Sequence, residues 1–333
     1  MTAMLTSLHR SRDAVTPAMR DAVQRLDPAS RAQASYHLGW IDADGAPSAG
    51  GGGKAVRPAL ALLSAEAAGA STETGLPGAV AVELVHNFSL LHDDLMDGDV
   101  ERRHRRTVWA IWGAPAAILA GDALLALAQE VLLESDSPHA AQAARLLAST
   151  TRELIRGQVQ DLAFEQRGDV TLDECLDMAG GKTGSLLSAS AAIGAVLAGA
   201  PEATVGALSV FGAQVGLAFQ LVDDVLGIWG DPAVTGKPVF SDLRSRKKSL
   251  PVTYSVANCP ELATWLAMPG EPDDAQLRRG AELVEAGGGR EWALAEARRR
   301  MALAEDALSA VDIPSQPREE LIALGNFVVD RDS

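Results

Sequence analysis

An all-α protein is predicted for this chain on three observations. Its 333 residues include only six Trp, two Tyr and six Phe, whereas sheets draw on aromatic and β-branched side chains. Stretches rich in Ala, Leu, Glu and Arg, which favour helix, fill the space between Gly/Pro/Asp clusters. No alternation of apolar and polar residues runs long enough to build a sheet. With 47% hydrophobic and 22% charged residues, the composition suits a buried core and excludes a disordered or fibrous chain.

Taken in order, residues 1 to about 40 read as a helix with a ragged lead, and 42–53 as a Gly/Pro/Asp loop. Pro58 suits the first turn of a helix through 59–70. Further helices are predicted at about 77–97, 107–113, 115–134, 137–166, 171–180, 182–199, 202–229, 241–258, 273–286, 290–310 and 315–329. Breaks fall at turn-forming clusters such as 71–78, Gly230-Asp231-Pro232 and 269–272. The longest weakly polar stretch, Ser185 to Ala200, is short for a membrane span of ~20 residues and reads as a buried helix. An integral membrane protein is therefore not expected. No linker separates two compositional regimes, so a single domain over 1–333 is expected, with residues 1–50 as its N-terminal helix and loop.

The 29 Lys and Arg set against 44 Asp and Glu give a net charge of −15. No basic stripe offsets it, which excludes nucleic acid as a partner. Cys175 and Cys259 are isolated, so neither a disulfide framework nor a zinc site is indicated, in keeping with a reducing cytoplasm. His9, Arg10, Arg12 and Asp13 place charge where a signal peptide needs its apolar stretch. A cytoplasmic location is expected.

Chemistry concentrates at His92-Asp93-Asp94-Leu95-Met96-Asp97. On a helix, Asp93 and Asp97 lie about 40° apart on one face and roughly 6 Å apart along the axis. The run before them is apolar, so these acids border a core, where unpaired carboxylates repel unless a cation is bound. Mg²⁺ takes hard oxygen ligands of this kind together with substrate phosphates. The plainer alternative is a solvated acidic helix end. A second acidic pair, Asp223-Asp224, ends another apolar run and strengthens the metal reading. Asp231, beyond Gly230, reads as a turn or capping residue rather than a ligand.

Cations accompany both pairs in this acidic chain. Lys54 and Arg57 sit at a Gly-rich backbone that opens a helix, a setting suited to anions. Arg102 and Arg103 follow Gly98, which ends the helix and lets the Arg pair fold back toward the carboxylates. Lys182, Lys237 and the pair Lys247-Lys248 come later. Any one of them alone reads as a solvated charge, but together with the acids they are what two diphosphates would need. Gly181-Lys182-Thr183 is no P-loop, since Leu176 stands where glycine is required, and neither a GxSxG elbow nor HExxH is present. His86, seven residues before Asp93, points within about 20° of it on a helix.

These elements, in this order, resemble the trans-isoprenyl (polyprenyl) diphosphate synthase family. Gly52-Gly53-Lys54-Ala55-Val56-Arg57-Pro58 resembles its GGKxxRP element, and Asp93 to Asp97 with Arg102-Arg103 its first aspartate-rich motif. Gly157-Gln158-Val159-Gln160-Asp161, Lys182-Thr183, Phe219 to Asp224 and Gly236-Lys237 follow in family order. The resemblance implies a single helical bundle around a central cavity, of isoprenoid synthase type, and a prenyltransferase acting as a homodimer. It implies that Asp93, Asp97 and Asp223 bind Mg²⁺, three ions per active site, bridging an allylic diphosphate gripped by Arg102, Lys182 and Lys237. Lys54, Arg57, His86 and Arg103 would hold isopentenyl diphosphate, and Thr183 and Gln220 would face the developing carbocation. Ionisation, condensation and elimination would follow.

Three positions depart from the family pattern: Gly227 replaces the third Asp of the second acidic motif, and His104 and Phe240 each stand where Gly is common. Two rivals remain, a class I terpene cyclase, which needs no second diphosphate site, and a non-catalytic subunit of a heteromeric synthase, which tends to lose the acidic motifs. Product length is read from the helix before Asp93. Phe88 lies about 7.5 Å down its axis and Val82 about 16 Å. Phe88 as pocket floor with the small Ser89 beside it predicts twenty-carbon geranylgeranyl diphosphate, with fifteen-carbon farnesyl diphosphate as the alternative; simple core packing is the plainer reading of Phe88.

Overall fold

Asp27 and Pro28 divide the N-terminal run that the sequence reads as one helix. The Asp27 carboxylate accepts from the N–H groups of Ala29 and Ser30, and Pro28 takes a first-turn position where its missing N–H is no loss. The result is α1 (Thr2–Val23) and α2 (Pro28–His37). This computed structural model describes residues 2–48, 55–232 and 238–329. Among them, regular structure is helical apart from one ribbon of two-residue strands and a single bridge between Ile41 and Pro47.

Next come α3 (Val56–Ala67) and α4 (Thr72–Met96), then strands β1 (Glu101–Arg102) and β2 (Arg105–Arg106). The chain continues through α5 (Val108–Trp112), α6 (Ala114–Leu133), α7 (Ala140–Glu165) and α8 (Leu172–Ala179). A π-helical turn, Gly180–Gly184, leads into α9 (Ser185–Leu197), followed by α10 (Glu202–Trp229). Helices at Ser241–Arg244, Leu250–Asn258, Pro260–Leu266, Asp274–Ala286, Gly289–Ser309 and Ser315–Val329 complete the order. The predicted helix 241–258 is thus two, broken where Arg246 adopts φ +54°. α4 starts earlier than predicted because Pro77 is accommodated inside it.

The chain sorts into two compact units. The first comprises Met1–Thr151, Ala189–Ser209 and Ala310–Leu324. There α4 packs on α3 and α6, burying Leu60, Leu63, Leu84, Leu91, Leu124, Leu132 and Ile193 completely. Such side chains stabilise by roughly 1.5–3 kcal/mol each. Small residues let the backbones meet: a Cβ on Gly194 would lie 2.1 Å from the Ala61 carbonyl oxygen. The second unit comprises Arg152–Ser188, Val210–Ser309 and Gly325–Ser333, with a core of Ile228, Leu243, Val252, Leu262, Trp265, Leu277 and Val284.

Among the described residues, the helices long and apolar enough to cross a membrane, by length and composition alone, are α6 and α10 rather than the Ser185 to Ala200 stretch singled out from sequence. Their windows are 39% and 44% buried inside the protein, and a core helix of a globular fold passes the same test.

Candidate active site

In the first unit, the apolar run of α4 delivers the acidic motif to its C-terminal end. Asp93 is partly exposed, Asp94 buried, and Asp97 is the exposed C-cap residue. Gly98 then takes φ +71° and ends the helix. The chain turns back through β1 and β2, whose two-residue loop holds Arg103 and His104 at φ +52° and +60°. A two-residue hairpin turn of this kind needs positive φ at both positions, which is why a residue other than glycine at 104 is conspicuous. Thr107 and Trp109 pin the ribbon by donating to the Asp99 carbonyl at 2.8 and 2.7 Å.

The return brings Arg102 onto the motif as the sequence suggests, but onto Asp94. Arg102 Nε donates to Asp94 Oδ1 at 2.6 Å. The other oxygen, Oδ2, is buried without a hydrogen-bond partner. Burial pushes the Asp94 carboxyl up to about 6 against the pull of Arg102. Arg105 and Arg106 do different work: Arg105 donates to the Ile41 and Tyr36 carbonyls and lies over the Tyr36 ring, and Arg106 donates to the Ala110 carbonyl.

Beside this ribbon lies a cluster of cations and neutral imidazoles. Arg57, in the first turn of α3, has Nη1 3.3 Å from His86 Nε2. Burial, then Arg57 and Arg103, hold His86 well below its usual pKa, so its ring is neutral. Desolvation, then Arg102 and Arg103, push His37 down to about 3. Glu83 is raised by burial, and Asn87 Nδ2 donates to it at 3.2 Å. A cavity of about 110 Å³ here is lined by His37, Asp94, Arg102 and Arg103 among others. Three guanidiniums facing two carboxylates that burial drives toward neutrality leave an excess of positive charge, a setting for anions.

Glu83 and Asn87 escaped the sequence reading, although their i,i+4 spacing one turn from His86 was a usable signal. His37 gave none, since it arrives from a different helix. Phe88, Ser89 and Val82 are all buried along α4. Phe88 meets the His92 ring edge-on at 4.8 Å, and Ser89 Oγ donates to the His86 carbonyl. Lys54 lies outside the described residues.

In the second unit, Asp223 is exposed and Asp224 buried on α10. A relay of hydrogen bonds runs from Thr183 Oγ1 to Gln220 Oε1 at 2.7 Å, and from Gln220 Nε2 to Asp224 Oδ1 at 2.8 Å. The Leu250 N–H caps Asp224 Oδ2 at 2.9 Å. Burial pushes Asp224 up to about 7, opposed chiefly by Lys247. Asp224, Asp242, Asp161 and Asp223 all hold Lys247 in its charged form. Lys182 reaches Asp161 from the π-helical turn. That turn is fixed by a close approach, because a Cβ on Gly157 would fall 2.2 Å from the Lys182 nitrogen. α10 stops at Trp229, before Asp231, as expected. Lys237 lies outside the described residues.

Among the described residues, no three Asp, Glu, His or Cys side chains gather to hold a metal ion on their own. Paired carboxylates rather than a closed cage are what Mg²⁺ uses when it is bound through substrate phosphates and water. The unpartnered Asp94 oxygen beside a cation cluster shows the same incompleteness. The donor set is all oxygen, which fits Mg²⁺ and argues against softer metals.

Hard oxygen donors and grouped cations on a helical scaffold are the setting that a phosphate-bearing substrate and a divalent cation would use. The sequence model of the polyprenyl synthetase family matches residues 44–268. The chain is 55% identical to a (2E,6E)-farnesyl diphosphate synthase of Mycobacterium tuberculosis, over 98% of this chain and 93% of the relative. It is 43% identical to a geranylgeranyl diphosphate synthase of the same organism, with the same coverage. The crystal structure of a polyprenyl synthetase from Streptomyces coelicolor superposes with a TM-score of 0.94 at 53% identity, covering 98% of this chain and 99% of the other. The chain belongs to the polyprenyl synthetase family. It has the all-α isoprenoid synthase fold and is a prenyltransferase, a trans-prenyl diphosphate synthase.

Proposed function

We propose that this chain condenses isopentenyl diphosphate with an allylic diphosphate and releases a short-chain all-trans product. The observation that carries the reading is the first unit's cation cluster, in which Arg57 and Arg103 flank a neutral His86. That arrangement suits the diphosphate of isopentenyl diphosphate, with Lys54 as a further ligand. Arg102, Lys182 and Lys237 grip the allylic diphosphate. Asp93, Asp97 and Asp223 hold Mg²⁺, three ions in each active site. The bound ions supply charge neutralisation for the departing diphosphate.

This chain's residues then do the rest. The arginines and lysines orient the two substrates and stabilise charge on the leaving group, so that the allylic C–O bond breaks. Thr183 and Gln220, already hydrogen-bonded to each other, turn oxygen toward the cation. The isopentenyl double bond attacks it, and the proton lost goes to the departed diphosphate. Apolar walls keep water from quenching the cation.

The fifteen-carbon product is favoured by the 55% identity to a farnesyl diphosphate synthase over nearly the whole chain. A second reading, the twenty-carbon product, is favoured by Ser89, whose small side chain beside Phe88 leaves room for a longer tail. We place the enzyme in the cytoplasm as a homodimer. The exposed Ile118, Leu119 and Leu133 of α6 supply apolar surface for the second copy, and elution at about twice 34.7 kDa in size exclusion is the check. Isopentenyl diphosphate kinetics test the central reading. Arg57→Ala should raise the KM for isopentenyl diphosphate at least tenfold with little change for the allylic partner. Equal effects on both would remove the two-site division, and no consumption of isopentenyl diphosphate would favour a cyclase or a non-catalytic subunit.

A further inference from the structure

Arg102-Arg103-His104-Arg105-Arg106 puts four arginines into five residues of an acidic chain, and the proposed reaction uses only the first two. The others sit on β2, where Arg105 is the register partner of Arg102. Left to itself this ribbon is disfavoured. Like charges directly opposite each other destabilise strand pairing, and Arg103 and His104 both hold the left-handed backbone that glycine adopts freely. Such a turn persists only where its surroundings hold it.

Arg105 connects the ribbon to those surroundings. Its Nη1 donates to the Tyr36 carbonyl at 3.1 Å, and its Nη2 to the Ile41 carbonyl at 2.7 Å and to Asp42 Oδ1 at 3.4 Å. The guanidinium lies over the Tyr36 ring, 4.2 Å from the centroid. The Tyr36 hydroxyl in turn donates to the Arg106 carbonyl at 2.7 Å, so α2 and β2 are tied by a bond in each direction. Tyr36 lies in the last turn of α2, the negative end of that helix, where a cation is favoured. This anchor is itself fixed. The Tyr36 ring meets Trp112 edge-on at 5.1 Å, the bridge between Ile41 and Pro47 closes the turn after α2, and Arg20 of α1 covers the Trp40 ring. On the other strand and in the turn, Arg102 is bonded to Asp94, and Arg103 acts on Glu83 and His86.

We infer that Arg105 is a positioning residue for substrate binding: it fastens the ribbon to the end of α2 and the turn behind it, and so holds Arg102 and Arg103 where the diphosphates dock. It acts through those two residues, its own guanidinium being committed to Tyr36, Ile41 and Asp42. The inference rests on the reading of Arg103 as a ligand of isopentenyl diphosphate and of Arg102 as a ligand of the allylic diphosphate.

Steady-state kinetics of the purified full chain test it, with isopentenyl diphosphate and a ten-carbon allylic diphosphate each varied in turn. Arg105→Ala should raise both KM values about tenfold. That is less than the order of 100-fold lost when a group is misplaced by about 1 Å, because the Tyr36 hydroxyl still holds β2. Arg105→Lys keeps the charge but not the fork that serves two carbonyls, and should raise both values about as far. Tyr36→Phe, which removes only the bond to the Arg106 carbonyl, should move them in the same direction by a smaller factor. Arg106→Ala removes the same charge from the same strand, where that side chain donates to the Ala110 carbonyl, and should leave both KM values near wild type. Wild-type KM values in Arg105→Lys would overturn the inference by leaving Arg105 only its charge, as would an equal rise in Arg106→Ala. A fall in kcat at unchanged KM in both Arg105→Ala and Arg105→Lys, or failure of both to fold, would make Arg105 structural and overturn it too. If Arg103→Ala leaves the KM for isopentenyl diphosphate unaltered, the failure belongs to the reading of Arg103 instead.

Discussion

Asp93 and Asp94 are neighbours with different work, and the difference is rotation about a helix. Asp93 stays partly exposed, in line with Asp97, whereas Asp94 is turned into the protein and anchors Arg102. On the proposed reading of Asp93 and Asp223 as Mg²⁺ ligands, losing either carboxylate removes transition-state stabilisation worth several kcal/mol. Asp93→Ala or Asp223→Ala should therefore lower kcat roughly a thousandfold or more in a protein whose circular dichroism and melting are preserved. Near-normal turnover in either folded variant would contradict their assignment. The Asp93, Asp97 and His86 alignment was legible in the sequence because it depends only on helical period. The anchoring by Asp94 and the arrival of His37 depend on tertiary approach, which no local pattern encodes.

Cys175 offers a residue-scale check on the second unit. Its thiol is buried, donates to the Lys248 carbonyl at 3.3 Å, and is pushed up by desolvation from 9.0 to about 11. A raised thiol pKa adds stability below pH 9 that is lost as pH rises through about 11. At pH 8 a thiol reagent should label one cysteine per native chain, the partly exposed Cys259, and two after unfolding. Rapid labelling of both in the native protein would refute this packing.

At the scale of elements, the π-helical turn Gly180–Gly184 presents Lys182 and Thr183, and Gly157 of α7 sets how close the two backbones come. Gly157→Ala would force the turn away by a Cβ now 2.2 Å from the Lys182 nitrogen. It should lower kcat/KM for the allylic substrate on the order of 100-fold, the cost of misplacing a positioning group by about 1 Å. Gly206→Ala, in open space on α10, is the control and should stabilise by roughly 0.5–1 kcal/mol. If Gly157→Ala behaves like the control, the close approach does not matter.

Most helices were legible from period and punctuation, since Ala- and Leu-rich runs between Gly and Pro clusters leave little choice. The ends were less so. Pro77 looked like a boundary but sits inside α4, and Asp27-Pro28 looked internal but starts α2. The ribbon around Arg103 and His104 had no signal, because strands of two residues are too short to alternate.

For the whole molecule, a net charge of −15 coexists with local cation clusters. Charge on the whole chain says little about the substrate, and placement within each unit says more. The motif order gave the family from sequence, whereas product length was not legible, since the chain is similar to both a farnesyl and a geranylgeranyl diphosphate synthase.

The most direct measurement supplies the purified chain alone with Mg²⁺, isopentenyl diphosphate and allylic primers of increasing length, and identifies the products by mass and chromatography. Expected is consumption of isopentenyl diphosphate with release of all-trans fifteen- or twenty-carbon diphosphate, abolished by chelating Mg²⁺. Failure to consume isopentenyl diphosphate with any allylic primer, in a folded protein with Mg²⁺ present, would contradict it.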